Sequence, residues 1–292
     1  MGNMNGESIS VIIPFYKGNA YIDGLIKNIA DIRDKTNANI TDIIFVNDSP
    51  WEDIKLPILA SDFSVVVTVL KNEQNYGIQK SRVRGLDACS TPLFIFLDQD
   101  DALLSDGFDD QVKLIQDADV VVGNGLYQYG EEFKPIYKNE KAMKYLVQKK
   151  RFIEIRNLIP SPGCCLFRRE SIPQEWKESY MKVNGADDWY LWLLMFAEGK
   201  NFAVNGGMVY QHNSTDAGNL SADLEKMHQS SVEMYENLKT DEILTEKELR
   251  ILRRTIEFKY LQDTGRLSLM KCFGYLRPIM DNIGYKIWLA IA

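Results

Sequence analysis

Short apolar runs alternate with amphipathic stretches through the first half of the chain. Ile9 to Ile13 is a β-branched run stopped by Pro14, and the theme returns at Ile43 to Val46, Val65 to Leu70, Leu93 to Leu97 and Val120 to Val122. Each run is nearly all apolar, which predicts strands buried on both faces. After the first strand, Asn19 offers a helix N-cap, and Ile22, Leu25, Ile26, Ile29 and Ile32 recur at helical spacing. Gly77 opens a weakly amphipathic helix that runs to about Ala88. Strands alternating with helices predict an α/β fold with a mostly parallel central sheet and helices on both faces.

The second half is less regular. Residues 123–182 are rich in Tyr, Lys and Glu, with a turn at Pro160-Ser161-Pro162-Gly163. Asp187-Asp188-Trp189-Tyr190-Leu191-Trp192 opens a helix, and acids in a first turn are favoured by the helix dipole alone. Phe202 to Val204 and Met208 to Tyr210 read as two short strands around Asn205-Gly206-Gly207, with His212 just beyond. From Ala222 onward the pattern is helical, with basic residues among Leu269, Phe273, Leu276, Ile279, Ile283, Trp288 and Leu289.

Polar residues collect where the strands end. Tyr16, Asp48 and the acids Asp98, Asp100 and Asp101 follow three different strands. Ligands of open α/β sheets bind at the carboxyl ends of strands, so these positions mark a candidate site. Clustered carboxylates repel unless a cation lies between them, and a hard divalent ion takes oxygen ligands. Taken alone, the acids equally describe a turn in which Asp101 caps the next helix. Neither a Gly-x-Gly-x-x-Gly turn nor a Gly-x-x-x-x-Gly-Lys-Ser/Thr loop is present, which disfavours a dinucleotide site and a P-loop.

A net charge of −7 argues against a nucleic-acid binder. The charge is uneven: from Arg250 onward eight Lys/Arg face three Asp/Glu, giving +5 and leaving −12 for the first 249 residues. A basic end on an acidic body predicts attraction to an anionic surface such as lipid. The bland alternative is that these helices pack on the rest of the protein or on a second subunit. Cys89, Cys164, Cys165 and Cys272 show neither disulfide-framework nor zinc spacing, so reduced, mostly buried thiols of a cytosolic chain are expected. The first residues lack the regions of a signal peptide, Gly6 disfavours myristoylation at Gly2, and no apolar run approaches a bilayer span.

The ordered motifs resemble family 2 glycosyltransferases of the GT-A fold. Val11-Ile12-Ile13-Pro14-Phe15-Tyr16 resembles the opening strand and nucleotide loop, and Phe45-Val46-Asn47-Asp48-Ser49 the second strand. Asn75-Tyr76-Gly77 with Arg82, Arg84, Gly85 and Leu86 resembles the Asn-x-Gly turn and its Arg-bearing helix. Asp98-Gln99-Asp100-Asp101 resembles the metal-binding Asp-x-Asp element, and Asp187-Asp188-Trp189-Tyr190-Leu191-Trp192 the Glu-Asp-x-x-Leu-Trp helix. The resemblance covers about residues 9–215. It departs at Asn47 (usually an acid), Val83 (usually Asn), Asp187 (usually Glu) and Leu194-Met195, near a frequent Arg. The Gln-x-x-Arg-Trp motif of processive synthases is absent, which favours one sugar per binding event.

The resemblance implies a GT-A nucleotide-diphospho-sugar transferase domain over residues 1–217, with a nucleotide-binding half at 9–122 and an acceptor half at 123–217, and a helical C-terminal extension at 218–292. It implies an inverting, Mn2+- or Mg2+-dependent transfer from a nucleotide-diphosphate sugar, UDP-sugar favoured, to a glycan or lipid-linked acceptor in cell-surface polysaccharide assembly. Asp100 is then the metal ligand. Asp98 contacts ribose or a metal-bound water, and His212 completes the metal site or meets the diphosphate. Asp48 accepts the uracil N–H, Tyr16 flanks the base, Pro14 supplies backbone, and Arg82 balances the acids or touches nucleotide. Asp188 is the general base and Asp187 holds it or binds acceptor. Trp189 and Trp192 are either core or a sugar-stacking platform, with core the expectation, and His228, inside a helix, is structural. The expected location is cytoplasmic, peripheral at the inner membrane face through residues 250–292, with a homodimer as a further option. Two alternatives are a sugar-nucleotide pyrophosphorylase, for which the 14–19 loop offers only Lys17 and one Gly, and a non-catalytic sugar-nucleotide scaffold.

Overall fold

The computed structural model describes residues 6–58, 64–213, 223–268 and 273–291. They form two compact units interleaved along the sequence. The first comprises 1–137, 161–172 and 200–214, the second 138–160, 173–199 and 215–292. The expected boundary at 217/218, like Leu269 and Cys272, lies outside the described residues.

The first unit holds one mixed sheet. Its strands are β1 (Ile9–Phe15), β2 (Ile40–Asn47), β3 (Val66–Lys71), β4 (Leu93–Phe96), β5 (Ala102–Leu103), β6 (Val120–Tyr129), β7 (Glu132–Pro135), β8 (Cys165–Arg168) and β9 (Phe202–Asn213). Spatial order is β3-β2-β1-β4-β8-β6-β9-β5, with β7 paired to β6. The β3-β2-β1-β4 half is parallel throughout, as the apolar runs lead one to expect. Beyond it, β8 pairs antiparallel with both β4 and β6. Helices α1 (Ile22–Lys35), α2 (Ile78–Ala88) and α3 (Phe108–Leu114) complete the unit. The first packs against β5, the second on β1 and β2, and the third on β6 and β9.

Several local expectations need correction. Strand β3 is an edge, with Val66 and Val69 exposed, because its apolar run has a neighbour on one side only. Asn19 does not cap α1; Tyr21 holds that position, while the Asn19 amide ties down Glu52, Asp53 and Lys55. The two short strands expected around Asn205-Gly206-Gly207 are one, β9, which passes the glycines with register shifts against β6. Strand β8, unread in the irregular stretch, is held by ring packing: Phe167 stacks on Phe94 with centroids 5.0 Å apart. A buried aromatic of this kind contributes roughly 1.5–3 kcal/mol.

The second unit is helical: α4 (Glu140–Leu146), α5 (Lys149–Glu154), α6 (Gln174–Glu178), α7 (Asp187–Ala197), α8 (Leu224–Thr240), α9 (Glu246–Asp263) and α10 (Leu276–Ile291). Helix α7 is apolar all round after its first turn, and residues Trp189 to Met195 are all buried, as a central helix requires. Trp189 and Trp192 are therefore core, as expected. The Trp189 and Trp176 indoles donate to Phe152 O and Asp187 O. A Thr245/Glu248 capping box starts α9, satisfying donors that the helix end would leave unpaired. Cys89, Cys164 and Cys165 are buried free thiols.

Candidate active site

In the first unit, the carboxyl ends of the parallel strands β1, β2 and β4 carry Tyr16, Asp48 and Asp98 to Asp101. A chain of hydrogen bonds fixes each. Asp48 is buried, and Oδ1 accepts from Asn72 Nδ2 at 2.7 Å and from Tyr76 N at 2.7 Å, while Oδ2 accepts from Gly77 N at 2.9 Å. Gly77 has φ of 88°, a conformation that favours glycine, and it starts α2. The side of α2 facing inward buries Gln79, Ser81 and Arg82, which explains its weak amphipathicity. Arg82 then reaches Asp98, Nη2 donating to Oδ1 at 2.7 Å, and Ser161 Oγ donates to Asp98 Oδ2 at 3.2 Å. Arg82 thus balances an acid; it does not lie on a solvated helix face.

Gln99, between the acids, clamps the loop after β1. Tyr16 N donates to Gln99 Oε1 at 2.8 Å and Gln99 Nε2 donates to Tyr16 O at 3.0 Å. The carboxamide passes over Gly18, where a Cβ would meet Gln99 Oε1 at 2.3 Å. The Tyr16 ring is exposed, meets Trp51 edge-on at 6.0 Å and lies under Lys17 Nζ at 5.2 Å. Asn47 forms a turn, accepting from Ser49 N at 2.9 Å and donating to Glu52 O at 2.6 Å.

Asp101 is buried against β9. Tyr210 OH donates to its Oδ2, His212 Nδ1 lies 3.1 Å from Oδ1, and Asn213 N donates to Oδ1 at 3.0 Å. The reason is register: β5 begins at the next residue and pairs Ala102 with Gln211 and Leu103 with Tyr210. Asp101 therefore does not cap α3, whose N-cap is Gly107. Burial pushes the Asp101 carboxyl up, and its hydrogen bond with His212 pushes the imidazole up too, against the effect of burial. Burial and the negative charge of Asp101 raise Tyr210 well above the usual phenol range. Asn213 Nδ2 also holds Asp100 O at 2.7 Å. Among the described residues the Asp100 carboxylate meets no donor from another residue; its own backbone N–H supplies its hydrogen bond. Burial, then repulsion from Asp101 and Asp98, raises its pKa to about 6.

In the second unit, Asp187 and Asp188 open α7. Asp187 is buried, whereas Asp188 is half-buried. Asn157 Nδ2 donates to Asp188 Oδ2 at 2.9 Å, and Trp189 N donates to Oδ1 at 2.6 Å. Helix α8 fixes the loop before them: Ala186 N donates to Ser230 Oγ at 2.9 Å, and Glu233 accepts from Lys182 N and Val183 N. A cavity of about 190 Å³ adjoins this turn, lined by Asn157, Ala186, Trp189, His228 and Tyr260 among others.

The model of the family described as Glycosyl transferase family 2 matches residues 10–176. The chain belongs to this family. A stretch of 108 residues is 27% identical to an uncharacterized glycosyltransferase of Haemophilus influenzae, covering 37% of this chain and 34% of that protein. The match thus spans about a third of that relative's length. Among solved structures, S. aureus TarS 1-349 in complex with UDP-GlcNAc is similar over 95% of this chain and 81% of that one, with TM-score 0.61 and 17% identity. TarS 1-349 in complex with UDP is similar over 95% and 80%, with TM-score 0.56 and 17% identity. These likenesses establish the GT-A fold with its helical C-terminal extension.

Of the residues expected from sequence, the fold gathers Pro14, Tyr16, Asp48, Arg82, Asp98, Asp100 and His212 in the first unit, and Asp187 with Asp188 in the second. Sequence reasoning missed Gln99, Asn72, Ser161, Tyr210, Asn213 and Asn157. Tyr210 had a signal, since it alternates with His212 on one strand face. Asn157 and Ser161 had none. As for a metal, no group of three or more His, Cys, Asp and Glu forms a cage among the described residues. A hard cation that shares its sphere with phosphates and water needs only one or two protein carboxylates. Asp100 fits that demand, being crowded by two acids and without a donor from another residue. Asp98 is already bound to Arg82, and His212 has turned Nδ1 to Asp101, so only its Nε2 is left to face outward.

Proposed function

We infer that the protein transfers one sugar from a UDP-sugar to a hydroxyl of a glycan or lipid-linked acceptor, with inversion, in surface polysaccharide assembly. The observation that carries this reading is the Asp100 carboxylate, held by no other residue at the carboxyl edge of the parallel strands while its neighbours are all tied down. The UDP and UDP-GlcNAc held by structurally similar TarS support the choice of donor.

In this reading Tyr16 offers its exposed ring to the base, and Asp48 shapes the 72–77 loop around it while keeping a lone pair on Oδ2 for the base N–H. Pro14 contributes backbone at the same strand end. Asp100 would hold Mn2+ or Mg2+, with Asp98 and His212 Nε2 reaching it directly or through water. When bound, the ion neutralises charge on the departing diphosphate. Arg82 pairs with Asp98 and orients it. Asp188 takes the acceptor proton as the hydroxyl attacks the anomeric carbon opposite the diphosphate, and Asp187 supports the turn that carries it. The cavity beside Asp188 takes part of the acceptor. The same reading places the chain peripherally at the inner membrane face through residues 250–292, with 1–217 as the catalytic domain. No helix among the described residues is long and apolar enough to cross a membrane.

The test is a thermal-shift panel of nucleotide sugars with Mn2+, because binding to the folded state raises its apparent stability. A selective shift with one UDP-sugar is expected, lost with EDTA and in Asp100→Ala. Equal shifts with EDTA would remove the metal from the reading, and no shift with any nucleotide sugar would overturn it.

A further inference from the structure

Helix α10 uses one side for the protein and leaves the other bare. On the inner side Trp288 stacks on Tyr145 with centroids 3.9 Å apart, Pro278 is buried, and Arg277 reaches Glu154 at 3.1 Å. On the outer side Leu276, Met280, Ile283 and Ile287 are between 45% and 64% exposed. Their spacing of four, three and four residues puts them on one stripe about 17 Å long. At 100° per residue, Arg277 lies on one flank of that stripe and Lys286 on the other. Phe273, just before the helix, is more exposed still.

A cleft of about 590 Å³ between α9 and the start of α10 is lined by Lys247, Arg250, Arg254 and Glu257 of α9 and by Arg277 and Pro278. Lys247, Arg250 and Arg254 share one face of α9. No acid pairs with them among the described residues, whereas Arg253 is neutralised by Glu257 at 3.2 Å. Unpaired cations beside an exposed apolar stripe match a layer that offers phosphate at one depth and acyl chain at the next.

We propose that the outer face of α10, together with the α9 cleft, docks on an anionic lipid bilayer, with headgroup phosphates against Lys247, Arg250 and Arg254. This rests on the peripheral membrane position in the proposed function and names the surface, the lipid charge and the residues that make it. An exposed basic residue near such a surface changes binding about fivefold.

The experiment is co-sedimentation of the full chain with phosphatidylcholine vesicles and with vesicles also containing phosphatidylglycerol. Binding is expected only with phosphatidylglycerol, and weaker as salt rises. Arg250→Glu with Arg254→Glu, and separately Met280→Asp with Ile283→Asp, each lower the bound fraction by about tenfold or more. Both variants keep the wild-type nucleotide-sugar thermal shift, which shows that they fold. Equal binding to both vesicle types would overturn the proposal, as would variants that bind like wild type. So would a dimer that the α10 variant converts to monomer in a chain that binds no vesicles. Vesicle binding of the expected pattern without any nucleotide-sugar shift supports this surface while counting against the transferase reading.

Discussion

Gln99 grips Tyr16 by both backbone polar groups, accepting from its N–H at 2.8 Å and donating to its C=O at 3.0 Å. The variable position of the Asp-x-Asp element therefore fixes the loop that presents the aromatic ring. Gln99→Ala removes both bonds and is expected to cost about 1 kcal/mol of stability, since the pair is part-exposed. UDP binding should weaken about fivefold, because a loop that must be ordered on binding charges that cost to affinity. Calorimetric titration and urea unfolding check both numbers. Unchanged affinity would detach Tyr16 from the base.

Arg82 is nearly buried and pairs with Asp98, whose side chain is about a quarter exposed. Removing one partner of such a pair leaves an uncompensated charge among other acids. Arg82→Ala should lose about 3 kcal/mol in urea unfolding. Adding Asp98→Asn should recover a large part of that loss, because the stranded charge goes with it. Failure of the double variant to recover any would show that Arg82 acts through packing alone.

Asp188 accepts from Asn157 and from the backbone of Trp189. If Asp188 is the base, Asp188→Asn lowers kcat by about 10²- to 10⁴-fold and leaves UDP binding intact. Asn157→Asp puts a like charge beside Asp188, which disfavours ionisation and raises its pKa. The acid limb of the kcat–pH profile should then move upward. A profile identical to wild type would take Asn157 out of contact with the catalytic proton.

His228 stacks on Tyr260 with centroids 4.1 Å apart, and burial lowers its pKa against the opposing pull of Glu225 and Glu257. Its folded pKa is below the unfolded value near 6.5, so the unfolded state binds the proton more readily. The neutral ring costs nothing above about pH 6.5, and stability falls as pH drops from there toward the folded pKa. His228→Phe should flatten that fall in urea midpoints measured from about pH 8 to 5. An unchanged slope would place the titration elsewhere.

The parallel half of the sheet was legible because its strands are buried on both faces and say so in unbroken apolar runs. The acids at its carboxyl edge were legible for the same reason, since each follows such a run. Strand β8 was not. Four residues long, it is defined by pairing with β4 and β6 and by Phe167 lying on Phe94, and neither contact is local in sequence. Continuity of β9 across its glycines was hidden too, because glycines read as a turn unless a neighbouring strand holds them.

The sequence by itself settled the three strand ends, the acidic first turn of α7 and the uneven charge, because periodicity, composition and helix-end preferences act over a few residues. The tertiary structure alone decided what each carboxylate does. Asp98 is paired because Arg82 arrives from α2, and Asp101 is buried because β5 pairs with β9. Asp100 is left with its own backbone N–H as donor and none from another residue. Partners such as Ser161 and Tyr210, 63 and 109 residues away in the chain, become neighbours only through the sheet. A carboxylate's charge state follows its neighbours in space, and sequence distance does not report them.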